Sequence, residues 1–249
     1  MIKKAFLLIF AFTTSIAYSQ CIDADKIVYG GNFDSHHYTY FCPRYQFSFD
    51  GDTSKIWNIL DPIDIRKVAK SIFPIKEKVE NQIKGYSGES FFSRMKFSSV
   101  EIVFPDSIAK FEDRVPGVNM KKCKSKYYFY YTFNPDSLAT YNIGLAVDEE
   151  GNIVSPFNFP SKGDYQTIDP SLTVCKVIEI AKRINNKILP IEEVKFDYDK
   201  KERRFYWLVS QEIKNVKEGI NLFNQVVIDA AEPKKQNLRK ERLVLYSKK

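Results

Sequence analysis

The segment DSHHYTYFC, residues 34–42, gathers the side chains of this chain best suited to chemistry: both histidines, His36 and His37, with Asp34, Cys42 and three aromatic rings. Imidazole, thiolate and carboxylate bind zinc, and a thiol beside an imidazole can act as a nucleophile. Spacing argues against both uses. In an extended segment successive side chains alternate, so His36 and His37 point to opposite faces and cannot share an ion. His36 and Cys42 fall on one face but stand about 20 Å apart at the usual strand rise. Only a turn within the segment would bring them together. The expectation is therefore no metal, no cofactor and no catalytic residue, with the segment an extended or looped part of an N-terminal extension.

Other matches to known chemistry are partial. FSFDGDTS, residues 47–54, resembles the start of a haloacid-dehalogenase phosphatase, a strand followed by Asp-x-Asp-x-Thr. Here Thr53 stands one place early and Ser54 fills the slot, and the parallel αβ repeats of that family are missing. A Gly51 turn is expected instead, with Asp52, Thr53 or Ser54 capping a helix through Ile56 and Trp57. The acidic run DEEGN, residues 148–152, lacks the alternating ligands of a calcium loop and reads as a hairpin turn with Gly151 at the φ > 0 position. No G-x-S-x-G and no glycine-rich phosphate loop occurs. Cys175, among Val174, Val177 and Ile178, reads as a buried small residue or half of a disulfide.

The elements that would position these residues follow from periodicity. IDIRKVAKSIF places Ile65, Val68, Ala69 and Ile72 on one helical face, with Pro74 expected to break or restart the helix. Three strands are then expected: SSVEIVF with Val100, Ile102 and Phe104 alternating, the aromatic KYYFYYTF, and YNIGLAV with Ile143, Leu145 and Val147 inward. An insertion, roughly residues 105–125, separates the first two. After the loop PFNFPSKGDYQTI, Asp169 is expected to cap a second helix with Pro170 in its first turn. Val174, Ile178, Ala181 and Ile188 form that helix's apolar side, and the strands EEVKFDYD, RRFYWLVSQEI and FNQVVIDAAE follow. Helix, strand, strand, strand thus occurs twice. The fold class expected is α+β, tandem αβββ units with helices packed on antiparallel sheets: a signal peptide at 1–19, an N-terminal extension at 20–62, and units at 63–160 and 165–249.

The start MIKKAFLLIFAFTTSIAYSQ, with Lys3 and Lys4 ahead of an apolar run and Ala17-Tyr18-Ser19 at its end, has the pattern of a cleaved secretory signal. No later segment reaches the length of apolar chain that spans a bilayer. Gln20 before Cys21 departs from the small residue that precedes a lipidated cysteine, which argues for an unanchored exported protein, periplasmic or extracellular. All four cysteines, Cys21, Cys42, Cys123 and Cys175, lie in the exported part, where disulfides are expected. Of three connectivities, Cys21 with Cys42 and Cys123 with Cys175 is favoured, the first pair closing a short loop. The formal charge is +7, but KKQNLRKERLVLYSKK, residues 234–249, carries most of it. The rest is near neutral, so nucleic acid is not the expected partner. The tail reads as an edge strand whose cations discourage pairing between copies.

Each unit ends on an apolar-apolar-Asp strand before a turn, Val147-Asp148-Glu149-Glu150-Gly151-Asn152-Ile153 in the first and Val227-Ile228-Asp229-Ala230 in the second. This resembles the PepSY type of domain, as two copies over most of residues 63–238. The second copy has Glu232 and Pro233 where a glycine is usual. The C-terminal domain of TonB-type energy-transducing proteins is a second resemblance, though no anchor or proline-rich spacer precedes the units. The PepSY resemblance implies a small exported module that binds or restrains other proteins, peptidases in some members, without a catalytic site. The function expected is non-enzymatic binding or inhibition of a protein or envelope component. The aromatics Tyr127, Tyr128 and Tyr130 and the basic residues Arg239, Lys240 and Arg242 are the candidate contact surface. The alternative is a secreted hydrolase using Cys42, His36 or carboxylates.

Overall fold

The structure, a computed structural model, describes residues 21–32, 44–47, 53–54, 65–103, 126–217 and 220–244. A 3-10 turn at Ala24–Lys26 leads into two short strands, β1 (Ile27–Val28) and β2 (Gly30–Asn32), followed by β3 (Arg44–Phe47) and β4 (Thr53–Ser54). Helices α1 (Ile65–Ser87) and α2 (Glu89–Phe92) precede β5 (Met95–Val103), β6 (Tyr127–Phe133) and β7 (Tyr141–Val147). Helix α3 (Val174–Ile184) then precedes β8 (Glu193–Asp199), β9 (Arg204–Lys217), β10 (Ile220–Asp229) and β11 (Gln236–Val244). The fold is α+β.

Helix α1 buries Ile72, Val79 and Ile83, with Ile75 and Tyr86 partly covered. These spacings of three and four residues bring the side chains onto one face. Pro74 does not break the helix as expected but lies inside it. Proline removes the N–H that would bond the carbonyl four residues back. That carbonyl belongs to Lys70, in an exposed stretch where water can serve it. The helix ends at Gly88, whose φ of 79° suits glycine and whose N–H donates to the Lys84 carbonyl.

Strands β5, β6 and β7 pair antiparallel, and Val100, Ile102, Ile143, Leu145 and Val147 are buried in the core as the alternation predicts, Phe104 lying outside the described residues; Phe129, Tyr131 and Phe133 of β6 are buried in the same core. The 148–152 turn also forms as expected. Asp148 accepts from the Asn152 N–H, and Gly151 has φ 85°. A Cβ there would come within 3.2 Å of Ile75 and Lys78, because α1 crosses this turn. Lys78 donates to the Glu150 carbonyl, and Gln82 both donates to the Gly151 carbonyl and accepts from the Ile153 N–H.

In the second half Thr173, not Asp169, caps α3, accepting from the Lys176 N–H at 3.3 Å. Asp169 lies too early: its carboxylate accepts from the Ser171 N–H and its own N–H donates to the Ala230 carbonyl. Val174, Ile178 and Ala181 are buried on the helix, while Ile188 is buried beyond its end. The helix expected through Ile56 and Trp57 lies outside the described residues; Thr53 and Ser54 themselves are in β4. They pair with Phe47 and Gln46 as a two-strand ladder.

Two sheets result, in the orders β1-β8-β9-β10-β11 and β2-β7-β6-β5-β3-β4. They are antiparallel except at the N-terminal segment, which adds β1 parallel to β8 and, after Tyr29, β2 parallel to β7. One short stretch of chain thus joins both sheets. At the crossover a Cβ on Gly30 would lie 1.5 Å from the Phe196 carbonyl oxygen, so only glycine fits. Gly31, at φ 64°, donates its N–H to Asp197.

Both halves share one hydrophobic core. Phe91 stacks on Phe133, Phe133 on Phe205 and Phe205 on Phe196, with centroids 4.9 to 5.5 Å apart, and Tyr141 meets Phe205 edge-on. Such offset and edge-to-face contacts stabilise by about 0.5–1.5 kcal/mol each beyond the area they bury. The ladder runs from the first half (Phe91, Phe133, Tyr141) into the second (Phe196, Phe205).

Candidate functional site

His36, His37 and Cys42 lie outside the described residues, as does Cys123. Cys21 is bonded to Cys175, with Cα atoms 5.5 Å apart, which corrects both expected pairs, Cys21 with Cys42 and Cys123 with Cys175. The physical reason is the parallel docking of β1 on β8, which carries the N-terminus back to α3, 154 residues away.

The aromatic strand is also not the surface it promised. Tyr128 and Tyr130 are 1% and 5% exposed, because both faces of β6 are covered, and Tyr127 is half-buried. Arg239, Lys240 and Arg242 lie on β11, the edge strand of the five-stranded sheet, as the charge pattern suggests. Beneath that hairpin the carboxylate of Asp229, 2% exposed, accepts from the N–H groups of Ala231 and Glu232 and from Arg204. Arg204 also reaches Glu232, which in turn pairs with Lys235. These partners, Lys235 first and Arg204 next, hold Glu232 below the usual carboxylate range.

A polar concavity lies where the halves meet. It is an open cleft of about 320 Å³ lined by Tyr86, Phe157, Phe159, Ser161, Asp164, Tyr198, Lys200 and Arg203. Tyr86 comes from the last turn of α1, Phe157 to Asp164 from the segment joining the halves, and Tyr198 to Arg203 from the β8–β9 hairpin. The hairpin is tight because Asp199 accepts from the N–H groups of Lys201 and Glu202 and Arg203 takes φ 56°. The joining segment is held by the Lys162 N–H donating to the Tyr86 carbonyl.

Tyr86 stacks on Phe157 with centroids 4.1 Å apart, forming an aromatic wall backed by Phe159. Opposite, Ser161 donates to Asp164 at 2.6 Å and Arg203 reaches the same carboxylate at 3.4 Å. The Ser161 hydrogen bond, then Arg203, holds Asp164 below its usual range. Burial, then Tyr86 and Asp164, pushes the Tyr198 phenol up to about 12. Burial and Asp164 also raise Tyr86. At neutral pH the cleft therefore offers two protonated phenols, a fixed carboxylate, two cations and an aromatic platform.

The phenols of the cleft donate hydrogen bonds, its cations meet acidic groups, and its rings stack on planar or apolar ones. Among the described residues no cluster of three or more His, Cys, Asp or Glu could hold a metal ion. Tyr86 and Tyr198 carry little signal in sequence, since nothing in QIKGYS or KFDYD separates a cleft tyrosine from a core one. The fold and cleft thus define an α+β protein with a polar and aromatic recess between two sheet-bearing halves. No family model matches the chain, and neither a curated protein nor a solved structure matches it.

Proposed function

We propose that this chain is an exported, non-enzymatic protein that binds, and so restrains, another protein or envelope component. The observation that carries the reading is the junction cleft, whose phenols, cations and stacked rings suit a polypeptide loop or chain end better than a reacting centre. A PepSY-like plan supports it further. Asp148 directly follows β7 and Asp229 is the last residue of β10, and each accepts backbone N–H groups of the turn that follows. Each half also has a helix ahead of its strands. The rest of the reading comes from the secretory pattern of residues 1–19.

The test is crosslinking capture of partners from an envelope extract, comparing the natural protein with a Tyr86→Ala/Tyr198→Ala variant of matched fold. A protein or polymer retained by the first and lost from the second is expected. Retention of nothing specific by either would sink the reading.

A further inference from the structure

Helix α3 packs on β9 and β10, and between it and the start of β11 lies a groove of about 390 Å³ lined by Ile180, Arg183, Ile184, Pro233, Lys234 and Gln236. Its lining combines an apolar floor from Ile180, Ile184 and Pro233 with two cations and no acid. Leu238, two residues along β11 from Gln236 and opposite core residue Val226, remains 53% exposed. An apolar strip beside a helix, left open on a sheet whose neighbouring positions are covered, is the kind of surface that marks an interaction site.

Charge selects the occupant. Arg183 and Lys234 have no carboxylate partner among the described residues, whereas Lys176 pairs with Glu179 and Lys235 with Glu232. Lys182 and Lys187 lie exposed on and just beyond α3. This charge opposes a second copy of the same face and a cationic segment alike. It complements a chain that presents apolar side chains inward and carboxylates along its flanks.

We infer that the groove between α3 and β11 docks an acidic amphipathic segment of a partner protein, laid beside α3 as a second helix would be. This rests on reading the protein as a binding module but uses a surface separate from the junction cleft. The apolar residues of the segment cover Ile180, Ile184 and Leu238, and its carboxylates meet Arg183 and Lys234.

Two synthetic 16-residue peptides test this by calorimetry on the purified, oxidised protein. One has leucines on one helical face and glutamates on the other; the second has lysines in place of the glutamates. The glutamate peptide is expected to bind, with affinity falling as salt rises, and the lysine peptide is not. Arg183→Glu/Lys234→Glu should weaken binding at least tenfold and Leu238→Ser about fivefold, with thermal unfolding unchanged because all three residues are exposed. Tyr86→Ala/Tyr198→Ala should bind the peptide as the natural protein does, so failure of the cleft reading and failure here are told apart. Equal binding of both peptides, no binding of either, or indifference to the double charge reversal would each overturn the inference. So would capture by phosphatidylglycerol vesicles that the glutamate peptide does not displace, since the groove would then serve a lipid surface.

Discussion

Asp136, in the loop between β6 and β7, accepts a hydrogen bond at 2.7 Å from the backbone N–H of Val174, the first residue of α3. Its other oxygen accepts from the N–H groups of Leu138 and Ala139. A single carboxylate thus closes a turn in the first half of the molecule and satisfies an open helix terminus in the second.

Asp136→Ala should therefore cost about 1–2 kcal/mol, the usual effect of losing a capping side chain, read as a lower urea midpoint. Thr173→Ala should cost less, because its bond to Lys176 is longer, at 3.3 Å. The reverse order would show that Asp136 is not the group that closes this helix end.

Gly30→Ala should be among the most damaging small substitutions, at about 3 kcal/mol or more, since a methyl there meets the Phe196 carbonyl head-on. Gly85→Ala is the matched control. It lies in α1 with nothing within 4 Å of the added carbon, and should stabilise by roughly 0.5–1 kcal/mol. Thermal unfolding of the pair should move in opposite directions.

Cleavage of the oxidised protein without reductant should release a fragment in which Cys21 is linked to Cys175. A fragment joining Cys21 to Cys42 would contradict the topology. Because the crosslink spans 154 residues, Cys21→Ser/Cys175→Ser should lower stability by about 3–5 kcal/mol on the loop-entropy argument. Limited proteolysis should then cut first within residues 21–32, the segment this bond retains.

The titrating groups bound the pH range of stability. Asp164 is held low by Ser161 and then Arg203, Asp169 by Ser171, and Glu232 by Lys235 and then Arg204. For these the unfolded chain binds more protons, so their contribution is complete above the ordinary carboxylate values near pH 4 and is lost as pH falls through the lower folded values. Tyr198 works at the other end. Its phenol is raised to about 12, so its contribution is present below pH 10 and is lost between about 10 and 12. Denaturation midpoints should be flat from pH 5 to 9 and fall on both sides, and ultraviolet absorbance should show a tyrosine titrating near 12 that Tyr198→Phe removes.

Much of the fold was legible because local patterns carried it. Val100 and Ile102 alternate as a strand with one face on the core must, and Val174, Ile178 and Ala181 recur at helical spacing; both sets are buried where expected. The turn at Gly151 could be read because only glycine takes its φ of 85° at ease. Pro74 misled because its cost depends on whether the carbonyl it strands is wet, and that is a tertiary fact. Tyr128 and Tyr130 misled because an aromatic run reads the same whether one face of its strand is covered or both. The cleft was invisible since Tyr86, Asp164 and Tyr198 come from three elements far apart in the chain.

By itself, then, the sequence determined the α+β class, the order of the two longer helices and the strands that follow each, the turns that depend on glycine and aspartate, and a basic final strand at a sheet edge. These follow from periods of 2 and 3.6 and from backbone conformations that few residues adopt. Only the tertiary structure decided that residues 27–32 bridge two sheets, that Cys21 meets Cys175, and that an aromatic ladder makes one core of two halves. Those are encounters between distant segments, set by which surfaces can be buried together, and spacing along the chain holds no record of them.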